Sequence, residues 1–298
     1  MLTTEQEAER KKGIGGSDAA AALGLSKLKT SRQLYHEKRG EIPEGEYDAE
    51  VRWWGNQLEP IVRQRYAEKT GFTVLLPKDT LWHPVHKFMC AHIDGYVDTP
   101  RRGYEGKTAY HSTGWGSEGT DEIPTEYLIQ VQHYMAVTAL PVFDVACLIG
   151  RKFAYYEVPA DPELQEMIIE GERDFARRLE EGDPPALDFE HRTAIDVVKK
   201  LHPGTNGARL VASDAAVKWR HRLTRAQTIE KAAKARIDGY KSRLLDEMGD
   251  AALLAFPDGK CFRRQVTKRA AYVVSATDYV DTRFVNDPTL TPTKGRKR

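Results

Sequence analysis

Three features of this 298-residue chain predict an α/β fold, with helices flanking a central sheet, followed by a separate helical and β-hairpin extension. Helical and extended patterns alternate over roughly residues 10 to 185. The run "VFDVACLIG" (142–150) is nearly continuously apolar, as a strand covered on both faces would be. After "GDPPALD" (182–188) the pattern changes to a single narrow apolar series at helical spacing.

The elements follow in order. "SDAAAALGL" (17–25) reads as a short helix with Ser17 as its N-cap and Gly24 as its stop. In "NQLEPIVRQRYAEKTG" (56–71) Leu58, Ile61, Val62 and Tyr66 keep helical spacing up to Gly71, and Glu59 lies within this helix. "FTVLLP" (72–77), "KFMCAHIDGYVDT" (87–99) and "GYEGKTAY" (103–110) are extended runs punctuated by Pro, Gly and Asp, and they read as an antiparallel meander. The glycine-rich "HSTGWGSEGTDE" (111–122) leads to a helix opened by Pro124, "PTEYLIQVQHYMAVT". "VFDVACLIG" and "KFAYYEV" (152–158) are two further strands. A helix over 161–181 carries Leu164, Met167, Ile168, Phe175 and Leu179 along one stripe until "EEGDPP" ends it. Farther on, Trp219, Leu223, Ile229, Ile237, Tyr240 and Leu244 belong to a series recurring every three or four residues up to Met248, which describes one long helix. "LLAFPDGKCFRRQV" (253–266) reads as a hairpin around Asp258-Gly259, with "AYVVS" and "TRFV" able to extend it.

Composition narrows the class. A hydrophobic content of 40% supports a proper core. No run approaches 18 apolar residues, and "MLTTEQEAERKKG" lacks the apolar stretch of a signal peptide, so a soluble cytoplasmic protein with no membrane partner is expected. Cys90, Cys147 and Cys261 are scattered without ligand spacing, which argues against a disulfide framework and a zinc site and predicts buried thiols. The charge is asymmetric. Residues 191–298 hold 23 Lys and Arg against 11 Asp and Glu, a balance of +12, while residues 1–190 stand at −11. The basic third suits an anionic partner such as nucleic acid, or is a solvated helix with the basic end "KGRKR".

In "GYEGKTAYHSTGW" (103–115), Glu105 and Lys107 are two residues apart and so share one face of a strand. One reading is an exposed ion pair. The other draws in Asp94, eleven residues ahead in "AHIDGYVD", and Glu59 from the helix. Clustered carboxylates repel and call for a cation, and a hard divalent ion with oxygen ligands, Mg²⁺ or Mn²⁺, suits them. A lysine beside such an ion can orient or help deprotonate a water for attack on phosphorus, so this second reading is phosphodiester hydrolysis.

The order of a helical Glu, a strand Asp and then Glu-x-Lys resembles the PD-(D/E)XK nucleases, and more narrowly the YqaJ-type viral recombinases related to phage lambda exonuclease. Four further stretches match in order: "GIGGSDAAAALGLS", "YHEKRGEIP", "GNQLEPIVRQRYAEKTG" and "IPTEYLIQVQHYMAVT". The resemblance covers roughly residues 10 to 185. It implies a restriction-endonuclease-like core with a mixed sheet over residues 1–190 and leaves 191–298 as a basic extension able to dock DNA or a partner. It also implies a Mg²⁺-dependent exonuclease, with Mn²⁺ as a substitute ion, acting 5′-to-3′ on linear double-stranded DNA ends and leaving 3′ overhangs for recombination. Asp94, Glu105 and the Gly106 backbone carbonyl would hold the metal, Glu59 would be an outer or second-metal carboxylate, and Lys107 would activate the water. Arg10, Ser17 and Gln130 would take the 5′-phosphate, with Gln132 beside them. A single-strand-annealing protein and a homotrimeric ring are the implied partners. The chain departs from lambda exonuclease at His92, where a small hydroxyl residue is expected. That imidazole could donate to a phosphate or pair with a carboxylate. For Gln130 and Gln132, buried among Tyr127, Val131 and Tyr134, a phosphate, the catalytic cluster or a backbone carbonyl would each serve. The rival functions are a related nuclease with another end preference or endonuclease activity, and a catalytically silent DNA-binding or assembly protein.

Overall fold

A computed structural model describes residues 12–44 and 49–266. Arg10, "AYVVS", "TRFV" and "KGRKR" lie outside the described residues. The chain divides into two compact units, Met1–Pro203 and Gly204–Arg298. The helix at Ala194–Leu201 (α6), which a boundary near residue 190 leaves with the extension, falls in the first.

The first unit is α/β with mixed sheets. Strands β1 (Ile14–Gly15), β2 (Leu81–Trp82) and β3 (Met89–Ala91) form a small sheet in the order β1-β3-β2. Strands β4 (Gly95–Val97), β5 (Arg102–Ala109), β6 (Val142–Ile149) and β7 (Lys152–Pro159) form the main sheet in chain order. There β5 and β6 run parallel and both outer pairs are antiparallel. The three-strand meander expected before residue 110 is corrected in two ways. "FTVLLP" forms no named strand and makes one isolated bridge, Leu75 to Tyr96. "KFMCAHIDGYVDT" breaks after Ala91, so that β3 and β4 belong to different sheets and Asp94 stands at the crossing.

Five helices position the site: α1 (Gly16–Ala22), α2 (Ser31–Lys38), α3 (Ala49–Thr70), α4 (Thr125–Thr138) and α5 (Pro162–Glu181). The period-2 alternation of β5 and β6 sorts the core between them. Tyr104 and Ala146 face Val62 and Tyr66 of α3. Phe143, Val145 and Cys147 face Ile129, Tyr134 and Met135 of α4. The buried run of β6 is broken by Asp144, which is fully buried and accepts from Arg102 Nη1 at 2.8 and 2.9 Å and from the Tyr66 hydroxyl. α5 starts where Asp161 Oδ1 accepts from the backbone N–H of Glu163 and Leu164, both at 3.0 Å, and it stops at Gly182 with φ 73°. α1 corrects the expected cap: Gly15 is the N-cap and no side chain caps the helix, so Ser17 lies within its first turn. Cys90 and Cys147 are buried as expected, but Cys261 is exposed.

Gly103 shows how tightly β5 meets its neighbour. A Cβ there would lie 2.1 Å from Phe143 Cε2, and that ring is fully buried. We expect Gly103→Ala to destabilise the protein by about 1–3 kcal/mol through overpacking, read as a lower urea midpoint at unchanged slope. An unchanged midpoint would show that the Phe143 ring has room to move.

In the second unit, α7 (Asp214–Met248) is 35 residues long and starts where the Ser213 hydroxyl accepts from Ala216 N–H at 3.2 Å. The hairpin over "LLAFPDGKCFRRQV" is present as β8 (Leu253–Ala255) paired with β9 (Cys261–Arg263). No helix of the described residues is long and apolar enough to cross a membrane.

Candidate active site

Glu105 and Lys107 point to the same side of β5, toward α4, and they touch: Lys107 Nζ donates to Glu105 Oε1 at 2.6 Å. The pair is not an exposed one, since the side chains are 3% and 19% accessible respectively. Lys107 Nζ also stands 5.0 Å from the centre of the Tyr127 ring on α4, a cation–π contact. From the same helix, Gln130 Nε2 donates to Glu105 Oε1 at 2.8 Å and to the Tyr134 hydroxyl at 2.9 Å.

Asp94 enters from the neighbouring strand. β4 and β5 pair Gly95 with Tyr104, so continuing that antiparallel register by one residue sets Asp94 opposite Glu105. Its Oδ2 accepts from Gly106 N–H at 2.9 Å. A side chain at Gly106 would crowd this arrangement, because a Cβ there would lie 3.1 Å from Tyr104 Oη and 3.6 Å from Asp94 Oδ2. Burial pushes the Glu105 carboxyl up to about 8, and the Asp94 charge adds to the push. For Lys107 burial works against the charge, but Glu105 and Asp94 outweigh it and hold the ammonium above its ordinary range.

Asp94, Glu105, Gln130 and Tyr134 border a cleft of about 400 Å³, lined also by Ser17, Glu59, Arg63 and His92. Glu59 reaches it from α3, with Arg63 Nη1 at 3.5 Å from its Oε1. Burial, then the Asp94 charge, pushes the Glu59 carboxyl upward as well. His92 pairs with the Thr80 hydroxyl at 2.9 Å, so a hydroxyl stands beside the position where one was expected in the sequence itself. Gln132 does not join the site. Its Nε2 donates to Pro159 O at 2.8 Å, and its Oε1 accepts from Asp161 N–H and Gln165 Nε2, both at 3.0 Å. It fastens the turn between β7 and α5, which corrects its placement at a phosphate. Of the two open glutamines, Gln130 serves the cluster and Gln132 serves the backbone.

Whether this donor set suits a cation rests on Glu105 Oε2, which is buried and has no protein partner. A buried carboxylate oxygen facing a second carboxylate is costly without a counter-charge. Among the described residues no three His, Cys, Asp or Glu side chains gather closely enough to hold a metal by themselves. The set is therefore two carboxylates, Asp94 and Glu105, with Glu59 farther along the same cleft. Two carboxylates suit Mg²⁺, which keeps several of its waters. Arg63 escaped the sequence reading, although the i, i+4 spacing from Glu59 on one helix face could have found it. The same spacing links Tyr134 to Gln130.

The family described as YqaJ-like viral recombinase domain matches residues 6–141. The chain is 33% identical over 260 residues to the protein YqaJ of Bacillus subtilis (strain 168), covering 84% of this chain and 80% of that protein. Among solved structures, the alkaline exonuclease LHK-Exo of Laribacter hongkongensis is similar in fold, with a TM-score of 0.50 at 24% identity over 61% of this chain and 94% of that one. With a relative matched along most of both lengths, and the family's match spanning the cleft and both carboxylates, this chain belongs to the YqaJ-like viral recombinase family.

Proposed function

We propose that this chain is a Mg²⁺-dependent nuclease that digests linear double-stranded DNA from its 5′ end and leaves 3′ single strands for phage-type recombination. The observation that carries the reading is the Glu105–Lys107 contact at 2.6 Å with Asp94 opposite and Glu105 Oε2 buried without a partner. Membership of a viral recombinase family and a fold similar to that of an alkaline exonuclease support it. Asp94, Glu105 and the Gly106 carbonyl would hold Mg²⁺, with Mn²⁺ able to substitute and Glu59 serving as an outer carboxylate. The bound ion would supply Lewis-acid stabilisation of the charge that develops on the phosphate.

The chain's own residues do the rest. Lys107 directs its N–H groups at the attacking water, and the Tyr127 ring and Glu105 fix the ammonium's position. Gln130 holds Glu105 Oε1 from α4, so the carboxylate cannot turn away from the cleft. Ser17, on the cleft wall beside Gly15 and Gly16, would face a terminal phosphate, and Arg10 is assigned the same role from the resemblance. Duplex DNA ends are the substrate, a single-strand-annealing protein and a ring of three copies the proposed partners, and the cytoplasm the expected compartment.

The test is a time course with end-labelled linear duplex, with and without Mg²⁺, comparing 5′-phosphate, 5′-hydroxyl and circular substrates. Shortening from the 5′ end only with Mg²⁺, and none on circles, is expected. Cleavage of circles would replace the exonuclease reading with an endonuclease, and no cleavage at all would leave a binding protein. We further expect Ser17→Ala to narrow the preference for a 5′-phosphate over a 5′-hydroxyl by about tenfold, the size of one lost hydrogen bond to a charged group. Equal rates on the two ends in the unaltered protein would remove the phosphate pocket.

A further inference from the structure

α7 has an apolar stripe that stands exposed among the described residues. Trp219, Leu223, Ile229, Ile237 and Tyr240 are each 50–62% exposed, against a fully wetted backdrop along almost the whole helix. With Ala226, Ala233, Leu244 and Met248, these residues step by three or four for 29 residues, a mean of 3.6, which is the period of a straight α-helix. The stripe therefore stays on one side from end to end. Large and small residues alternate along it, as in Leu223, Ala226, Ile229, Ala233 and Ile237, leaving gaps of side-chain size between ridges. Such relief fits another helix rather than a smooth lipid surface.

The borders of the stripe say which helix. Within about 100° of its centre at 3.6 residues per turn stand seven basic residues, with Arg222, Arg236 and Arg243 on one border and Lys234 and Lys241 on the other. Only Glu230 and Glu247 are acidic in that span. A second copy of α7 would set Arg and Lys against Arg and Lys along both borders, in either orientation. Duplex DNA would satisfy the cations but leave Trp219, Ile237 and Tyr240 against phosphate and water. We propose that α7 docks a partner helix whose apolar seam is bordered by Glu and Asp. The inference does not rest on the nuclease reading.

The test mixes the full chain with a fluorescein-labelled synthetic helix of 35 residues, Leu along its seam and Glu on both borders, and with a twin carrying Lys on the borders. Fluorescence anisotropy should show binding of the Glu-bordered peptide and at least about tenfold weaker binding of the twin, one power of ten in Kd for each 1.4 kcal/mol. Ile237→Asp should weaken capture by a similar factor. The triple variant Arg222→Glu, Arg236→Glu, Arg243→Glu should move the preference toward the Lys-bordered twin, a gain that a misfolded variant cannot produce. Equal binding of both peptides, or no binding of either, overturns the proposal. So does self-association of the full chain in sedimentation that Ile237→Asp abolishes, or duplex DNA binding that Ile237→Asp weakens. Capture by anionic vesicles in preference to the Glu-bordered peptide would likewise assign the stripe to a lipid surface.

Discussion

Lys107→Ala is expected to slow digestion of linear duplex by about two to four orders of magnitude while leaving the urea midpoint close to that of the unaltered protein, the range set by loss of a positioned proton-handling group. The activity loss follows from placement. Lys107 Nζ is held at 2.6 Å from Glu105 and over the Tyr127 ring, so no other described cation occupies its position on β5. The fold should survive because Glu105, already pushed up to about 8 by burial, takes a proton readily once the ammonium is gone, and Gln130 continues to donate to its Oε1 at 2.8 Å. Lys107→Arg separates charge from shape. A guanidinium keeps the charge but presents a planar fork in place of a compact ammonium, so it should restore little of the rate. Initial rates on end-labelled duplex, paired with urea unfolding of the same preparations, read both effects. A Lys107→Ala protein that digests duplex within a factor of a few of the unaltered rate would show that the chemistry lies elsewhere.

Much of this site was legible because it obeys local periodicity. The two-residue spacing of Glu105 and Lys107 has one consequence on a strand, a shared face, and the structure shows it. The central place of β6 follows from its apolar run in the same way. Ser17 was misread because "GGSD" offers two residues able to begin a helix, and the chain starts its turn at Gly16, where a backbone without a side chain passes close to the Tyr134 ring. The break between β3 and β4 was not legible, since which of two sheets accepts a strand is decided by pairing with Ile14 and Tyr104, residues far apart in sequence. Gln130 and Gln132 differ by one helical offset, and only the positions of Glu105 and Pro159 tell their roles apart. The burial of His133 belongs to the same class. Its partners lie 43 residues before it and 39 after it, beyond any local pattern.

His133 is the basis of the second large effect. It is fully buried on α4, with Nε2 at 2.9 Å from Cys90 O on β3 and Nδ1 at 2.7 Å from Glu172 Oε1 on α5, itself fully buried. A carbonyl can only accept, so Nε2 carries the proton of that bond. Nδ1 then either donates to a carboxylate or accepts from a carboxylic acid. Burial alone would lower the imidazole, but the Glu172 charge outweighs it and holds His133 above its ordinary range. In either protonation state Nδ1 and Glu172 Oε1 satisfy each other, although Oε2 is buried without a hydrogen-bond partner, and the pair ties β3, α4 and α5 together. Glu172→Ala removes one partner and leaves a buried ring nitrogen unpaired beside a cavity, so a loss of about 3–5 kcal/mol is expected. That is a large share of the ~5–15 kcal/mol that holds a typical domain folded. Glu172→Gln should cost far less, about 1–2 kcal/mol, because its amide can donate to a neutral Nδ1 in nearly the same volume. Urea unfolding of the three proteins, followed by near-UV circular dichroism, ranks them. If Ala and Gln at 172 cost the same small amount, the pair is a packing contact, and the connection between β3 and the two helices must rest on their apolar surfaces instead.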